Sequence, residues 1–197
     1  MSIITVTRGV KSGGKEIAEL LANHFNYKCF RNRDIISACA KKYNIMEDEL
    51  SGRLEEVPGF WQRLTKDHRQ SLIYIRCAVL EAAKNDNIVY HGLAGQLFLS
   101  EIKHVFKLQI LAPFKDRLQR TMKDLNLNEK EASDYLLEAD DKRIRWFKII
   151  FGDHWKDPLI YDLSINLHNI SHELVCKLVE ITISKDEFKT TEHSLGV

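Results

Sequence analysis

Apolar residues along this chain follow two patterns that alternate from one end to the other. Short β-branched or alternating runs predict five strands, near residues 3–7, 27–30, 88–90, 105–111 and 161–167. Recurrence every three or four residues predicts helices near residues 17–25, 35–43, 71–84, 114–125, 128–150 and 171–179. Strands that alternate with helices favour a parallel α/β sheet covered by helices on both faces. In such a sheet the ligand binds at the carboxyl ends of the strands.

The start of the longest predicted helix carries a capping pattern. Asn128, with Glu131 three residues later, has the spacing of a capping box and begins a basic, aromatic helix that reaches about Ile150. Residues 44–70 are instead polar and poorly periodic, with Pro58-Gly59 as a break. No helix or strand is predicted there.

The composition is that of an ordinary globular protein, and we expect one domain over residues 1–197. Lys and Arg (29) nearly balance Asp and Glu (28), and the net charge of +1 offers no global basis for binding nucleic acid or an anionic membrane. No run of about 18 apolar residues predicts a membrane span, and the N-terminus lacks the order of a secretory signal. We therefore expect a cytoplasmic protein with reduced packing cysteines, namely Cys29, Cys39, Cys77 and Cys176.

The strongest chemical pattern follows the first predicted strand. The G-x-x-x-x-G-K pattern of a Walker A phosphate loop is matched by Gly9, Val10, Lys11, Ser12, Gly13, Gly14 and Lys15. Glycines let backbone N–H groups turn toward phosphate oxygens at the positive end of a helix. Lys15 supplies a mobile charge for the outer phosphates. The alternative is a glycine-rich turn between strand and helix that binds no ligand.

Position 16 departs from the Walker A pattern. The residue after the lysine is normally Ser or Thr, whose hydroxyl ligates Mg²⁺, and Glu16 stands here instead. A carboxylate at this place either takes the metal, directly or through water, or repels phosphate and weakens the site.

The stretch T-R-G-V-K-S-G-G-K-E-I-A at residues 7–18 resembles the opening S-R-x-x-G-S-G-G-R-E-I-A of the cytidylate kinase-like family, a branch of the P-loop nucleoside monophosphate kinases. Shorter matches follow in order at residues 32–36, 88–92, 106–113 and 160–166. The resemblance implies an α/β fold with a three-layer P-loop NTPase core, a parallel five-stranded sheet, a helical acceptor lobe (31–84) and a basic helical lid (126–157). It also implies ATP, Mg²⁺ and small-molecule nucleotides as ligands, and it permits a homo-oligomer.

The resemblance also assigns roles to individual residues. Residues 9–16 would cradle the donor phosphates, and Asn32 and Arg33 would contact the acceptor. Phosphoryl transfer depends on positioned cations more than on covalent help from the protein. The cations expected to stabilise the transferring group are Lys15, Arg117, Arg120, Arg143 and Arg145. The basic residues of the lid are alternatively a solvated helix face over a core stripe of Trp146 and Phe147.

Two positions on the acceptor side depart from the family pattern. Family members place Arg after the glycine that ends the third strand, where it forks onto the acceptor phosphate, and Leu93 stands here; Asn32 replaces Asp. One hypothesis is therefore an ATP-dependent kinase acting on a nucleoside monophosphate, cytidylate-like, or a related phosphate acceptor. The other is a nucleotide-binding sensor or regulatory protein without kinase turnover. A loop without nucleotide affinity, acting through protein contacts, is a third.

Weaker patterns carry two interpretations each. Phe60-Trp61 covers an acceptor base or packs within the lobe. Asp140-Asp141 holds a metal or pairs with nearby lysines and arginines. His168 and His172 have metal-ligand spacing but no obvious third ligand, which favours a surface or core role.

Overall fold

The computed structural model describes residues 2–55 and 65–190 and contains a five-stranded sheet in which every pair of neighbouring strands is parallel. The strand order is β2-β3-β1-β4-β5. The strands are β1 (Ile3–Arg8), β2 (Lys28–Phe30), β3 (Ile88–Tyr90), β4 (Val105–Leu111) and β5 (Leu163–Asn166). All five lie where the apolar runs predict them, and the parallel sheet is confirmed.

Helices connect the strands and cover both faces of the sheet. They are α1 (Gly14–Phe25), α2 (Asn32–Tyr43), α3 (Glu47–Glu55), α4 (Lys66–Ala83), α5 (Gly95–Phe98), α6 (Phe114–Leu125), α7 (Glu129–Phe151) and α8 (His172–Ile183). Three short 3₁₀ turns lie at His154–Lys156, Pro158–Ile160 and Asp186–Phe188. No helix in the part of the chain that the structure describes is long and apolar enough to cross a membrane.

The sheet separates two apolar cores, because successive strand residues face opposite sides. Ile3 packs with α2, α4 and α7 on one side, whereas Ile4 packs with α1 and α8 on the other. This helix–sheet–helix arrangement is the three-layer P-loop core that the resemblance implies. The four cysteines are free thiols, two of them buried (Cys39 and Cys176).

The structure confirms the capping box of α7. Helix α3, in contrast, is not predicted from the sequence. The Asn128 side chain accepts a hydrogen bond from the Glu131 N–H (2.9 Å), and the Asn128 N–H donates to Glu131 Oε2 (3.0 Å). Helix α3 buries Leu50 and Leu54 in the first core. Leu50 and Leu54 have helical spacing, but two apolar residues are too few to predict a helix, and α3 is identified by its packing against α2 and α4.

Helix α4 begins at Lys66, five residues before the predicted start at Ser71. The Thr65 hydroxyl caps it by accepting a hydrogen bond from the His68 N–H (3.3 Å), which the polar first turn conceals in the sequence. The positions Pro58-Gly59 and Phe60-Trp61 lie outside the described residues.

Candidate functional site

The phosphate loop (residues 9–15) takes a tight path between β1 and α1 that only glycine permits at two positions. Gly13 has a φ of +91°, and a Cβ there would lie 2.8 Å from Arg120 Nη1. A Cβ on Gly14 would lie 2.5 Å from the Cβ of Arg8. Helix α1 starts immediately after this turn, so its first N–H groups, which have no partner within the helix, face the end of the loop.

Two arginine side chains of helix α6 hold the phosphate loop in place by donating hydrogen bonds to backbone carbonyls of the loop. Arg117 Nη1 donates to the Val10 carbonyl (3.2 Å), and Arg120 Nη1 donates to the Lys11 carbonyl (2.9 Å). The Arg117 guanidinium also forms a bidentate pair with Asp140 on α7 (3.0 and 2.8 Å). Arg117 therefore links the phosphate loop to α7. Of the two adjacent carboxylates, Asp140 and Asp141, it is Asp140 that forms this link.

A cavity of about 480 Å³, here called the loop cavity, opens at the carboxyl ends of β1 and β3. Its walls come from the phosphate loop, the start of α1 and α2, the segment after β3, and helices α6 and α7. The lining residues are Arg8, Gly9, Val10, Lys11, Gly13, Lys15, Glu16, Asn32, His91, Gly92, Leu93, Arg120, Asp124, Tyr135 and Arg143. This is the edge of a parallel sheet at which ligands bind.

Positive charge in the loop cavity is incompletely compensated. Burial lowers the pKa of Arg8, and the nearby carboxylates of Glu16 and Glu19 offset that cost only in part. The side chain of Lys15 is 54% exposed, and its Nζ lies 3.8 Å from Glu19 Oε1, a loose contact. Burial also lowers the pKa of Arg143. Charged groups that lose hydration without a close partner favour an anionic ligand.

A second cavity, here called the apolar cavity, shares a wall with the loop cavity. It measures about 270 Å³ and adds Leu54, Ala139, Lys142, Trp146 and Phe147 to the residues Val10, Asn32, Leu93 and Arg143 that both cavities share. The Arg143 guanidinium lies 5.0 Å from the centroid of the Phe147 ring. The Asn32 Oδ1 is buried and has no hydrogen-bond partner within the described chain.

The residues predicted from the sequence separate into groups. The structure brings Lys15, Glu16, Asn32, Arg120 and Arg143 together around the loop cavity. Arg33 is exposed, and Arg117 forms an ion pair with Asp140. Neither residue lines either of the two cavities in the described chain.

Arg145, His168 and the Asp140-Asp141 pair are not among the residues that line the two cavities in the described chain. Arg145 pairs with Asp141 (2.8 Å) at the surface, its side chain 59% exposed. His168 pairs with Asp116 (2.6 Å). Among the described residues, no group of three or more His, Cys, Asp and Glu side chains is arranged to hold a metal ion.

His91, like Arg8, lines the loop cavity but is not among the site residues predicted from the sequence. It follows β3 directly, is 4% exposed, and neither ring nitrogen has a hydrogen-bond partner in the described part of the chain. Burial and the charges of Arg8, Arg31 and Lys15 lower the pKa of His91 to about 4, against a smaller opposing effect of Asp34. Its place directly after a predicted strand, at the edge where a parallel sheet binds ligands, is the kind of sequence feature that could have identified it.

The depressed pKa of His91 predicts a pH dependence of stability. The unfolded chain binds a proton at this residue near pH 6.5 and the folded chain only near pH 4, so folding loses stability as the pH falls between those values. From about pH 7 to pH 5 this group alone contributes a loss of about 2 kcal/mol. Urea unfolding at both pH values should show that loss as the difference between the unmodified protein and His91→Leu, which lacks the titrating ring. Equal losses in the two proteins would contradict the prediction.

Gly13→Ala is expected to destabilise the protein by about 1–3 kcal/mol, since a residue with a Cβ is strained at positive φ. The same Cβ would also displace Arg120, which holds the loop. Chemical denaturation measures the change, and Gly52→Ala in α3 is the matched control, because a Cβ at Gly52 meets no atom within 4 Å. A Gly13→Ala protein as stable as the control would contradict the observed loop geometry.

Comparison with known proteins agrees with this architecture. A family model described as the cytidylate kinase-like family matches residues 3–169. The chain is 24% identical to cytidylate kinase of Methanopyrus kandleri over 189 residues, 92% of each chain. It is 26% identical to cytidylate kinase of Methanocaldococcus jannaschii over 183 residues, 92% of this chain and 97% of the relative.

Solved structures with the same fold include a protein of Eubacterium ventriosum, with a TM-score of 0.68 at 21% identity over 94% of this chain and 99% of that one. Shikimate kinase of Bacteroides thetaiotaomicron superposes with a TM-score of 0.54 at 12% identity, over 93% and 99% of the two chains. At these identities the likeness establishes the P-loop kinase fold. The family model and the sequence relatives support a nucleotide kinase activity.

Proposed function

The chain belongs to the cytidylate kinase-like family, and from that premise we propose that it transfers a phosphoryl group from ATP to a nucleoside monophosphate, cytidylate-like, or to a related small phosphate acceptor. The observation that carries the proposal is the shared wall of the two cavities. A kinase must hold two ligands end to end, and Arg143 borders both compartments. We place the activity in the cytoplasm, where free thiols such as its four cysteines are maintained.

The phosphate loop is proposed to hold the donor. Its glycines leave room for phosphate oxygens close to the backbone, and the free N–H groups at the start of α1 donate to them. Lys15 is exposed and only loosely paired, so it can move onto the outer phosphates. The Ser12 hydroxyl, buried and without a partner in the described chain, adds a donor within the loop.

The arginines of α6 and α7 are proposed to divide the remaining work. Arg143 lies where the transferring group passes between the cavities, and a fixed cation there stabilises charge on the phosphoryl oxygens. Arg120 lines the loop cavity while it also donates to the Lys11 carbonyl. Arg117 positions the loop through Val10 and Asp140 and does not contact the ligand.

The residues of the loop cavity fit a magnesium ion bound with ATP. Mg²⁺ is usually held by one or two carboxylates, water and substrate phosphates rather than by a full protein cage. Glu16 offers a carboxylate in the cavity wall, next to the loop, and would hold the ion directly or through water. When bound, the ion neutralises charge on the phosphate oxygens.

An assay of phosphoryl transfer tests the proposal. The full chain is incubated with ATP, Mg²⁺ and CMP, UMP, AMP or GMP in turn, and formation of ADP and of the nucleoside diphosphate is followed by chromatography. Repeated turnover with at least one monophosphate supports the kinase. ATP binding by calorimetry without transfer to any acceptor favours the alternative, a nucleotide sensor. That alternative is motivated by Leu93, an uncharged residue where the two cavities meet.

A further inference from the structure

We propose that His91 and Arg8 form a second anion subsite, on the β3 side of the loop cavity, that binds the phosphate of the acceptor. The inference rests on the proposed function and names the residues by which the acceptor is held. Neither residue is part of the phosphate loop.

The sheet brings the two side chains to the same edge. Strands β1 and β3 are parallel neighbours, with Thr5 opposite Tyr90. Arg8 ends β1 and His91 follows β3, so both lie at the carboxyl ends of paired strands and both line the loop cavity. A ligand in the cavity can therefore contact the two together.

Both side chains lack partners that a ligand would supply. His91 is 4% exposed, and its two ring nitrogens are without hydrogen bonds in residues 2–55 and 65–190; the buried Arg8 Nε is likewise unsatisfied there. Leaving buried polar groups unpaired is costly, and an anion that accepts from both would remove that cost. Glu16 and Glu19 act on Arg8 only from a distance.

The protonation state of His91 suits this task. The groups that face it are Arg8, Arg31 and Lys15, which disfavour the charged ring, and Asp34, which favours it. Burial and the three cations keep the pKa near 4, so the ring is neutral at physiological pH and offers one N–H donor. Arg8 then supplies the positive charge of the subsite, and the imidazole N–H of His91 supplies a directional hydrogen bond.

Position relative to the apolar cavity assigns the subsite to the acceptor rather than the donor. His91 is followed by Gly92 and Leu93, and Leu93 borders both cavities. A nucleoside seated among Leu54, Trp146 and Phe147 would present its phosphate across this wall. Because leucine supplies neither charge nor a hydrogen bond, the phosphate depends on the adjacent His91 and Arg8.

Steady-state kinetics of His91→Leu, which nearly keeps the side-chain volume and removes both ring nitrogens, test the subsite. We expect the KM of the best monophosphate to rise about 10- to 100-fold, the effect of losing a hydrogen bond to a charged group, with the KM of ATP unchanged. His91→Gln retains an N–H donor and should recover most of the loss. His24→Ala, an exposed histidine at the far end of α1, is the control. If leucine is not tolerated in the fold, His91→Ala replaces it.

Each outcome decides the inference. An unchanged acceptor KM in a folded His91→Leu protein overturns it, and so does a rise confined to the KM of ATP, which would assign His91 to the donor. If the unmodified protein turns over no monophosphate, the proposed function fails separately. Calorimetry with CMP then takes the place of kinetics: binding that His91→Leu abolishes supports the subsite, and binding that it leaves intact, or no binding at all, overturns it.

Discussion

Lys15→Ala is expected to lower kcat by about 10²- to 10³-fold, the loss typical of removing one preorganised charge from a transition state. The folded state should persist, because Lys15 is exposed and its contact with Glu19, at 3.8 Å, is a surface pair of little energetic value. Turnover with ATP and the best acceptor measures the first effect, and thermal melting measures the second.

Lys177→Ala on the exposed side of α8 is the matched control for this substitution. It removes the same charge from a residue that lines neither cavity in the described chain, and it should leave both activity and melting temperature unchanged. Undiminished turnover in a folded Lys15→Ala protein would show that the loop does not hold the donor.

Arg143→Met is expected to reduce kcat by a similar factor of about 10²–10³ while the KM of ATP changes little. The guanidinium borders both cavities, so its charge acts where the phosphoryl group passes between the ligands. Methionine retains packing against Phe147, over whose ring the guanidinium lies, and this separates loss of charge from loss of structure.

Arg145→Met provides the comparison on the same helix. Arg145 pairs with Asp141 at the surface and lies outside both cavities of the described chain, so we expect activity close to that of the unmodified protein. The reverse result, with Arg145→Met inactive and Arg143→Met active, would mean that α7 turns its other face to the ligand during catalysis.

The arginines of α7 illustrate what the sequence can predict about this site. Residues two apart on a helix point to different sides, so Arg143 and Arg145 cannot both face one cavity. The resemblance nevertheless assigns both arginines to the transferring group, and the sequence does not show which side of α7 meets the sheet. Packing of Trp146 and Phe147 in the first core makes that choice.

Arg117 and His91 required the tertiary structure for a different reason. The role of Arg117 depends on Asp140, 23 residues away on another helix, and a charge looks the same in the sequence whether it is paired or free. In the sequence, His91 is an isolated histidine after a short strand. Only the structure shows that it is buried, that its ring nitrogens have no partner in the described chain and that cations surround it.

The sequence by itself determined the features that depend on neighbouring residues. The five strands, the capping box of α7 and the glycine turn between β1 and α1 follow from side-chain period, local hydrogen bonding and the conformational freedom of Gly13, all set within a few residues. Tertiary structure alone decided which cations line the loop cavity, where the apolar cavity adjoins it, and that α3 forms at all. These properties arise from contacts between distant segments, and such contacts leave no periodic trace along the chain.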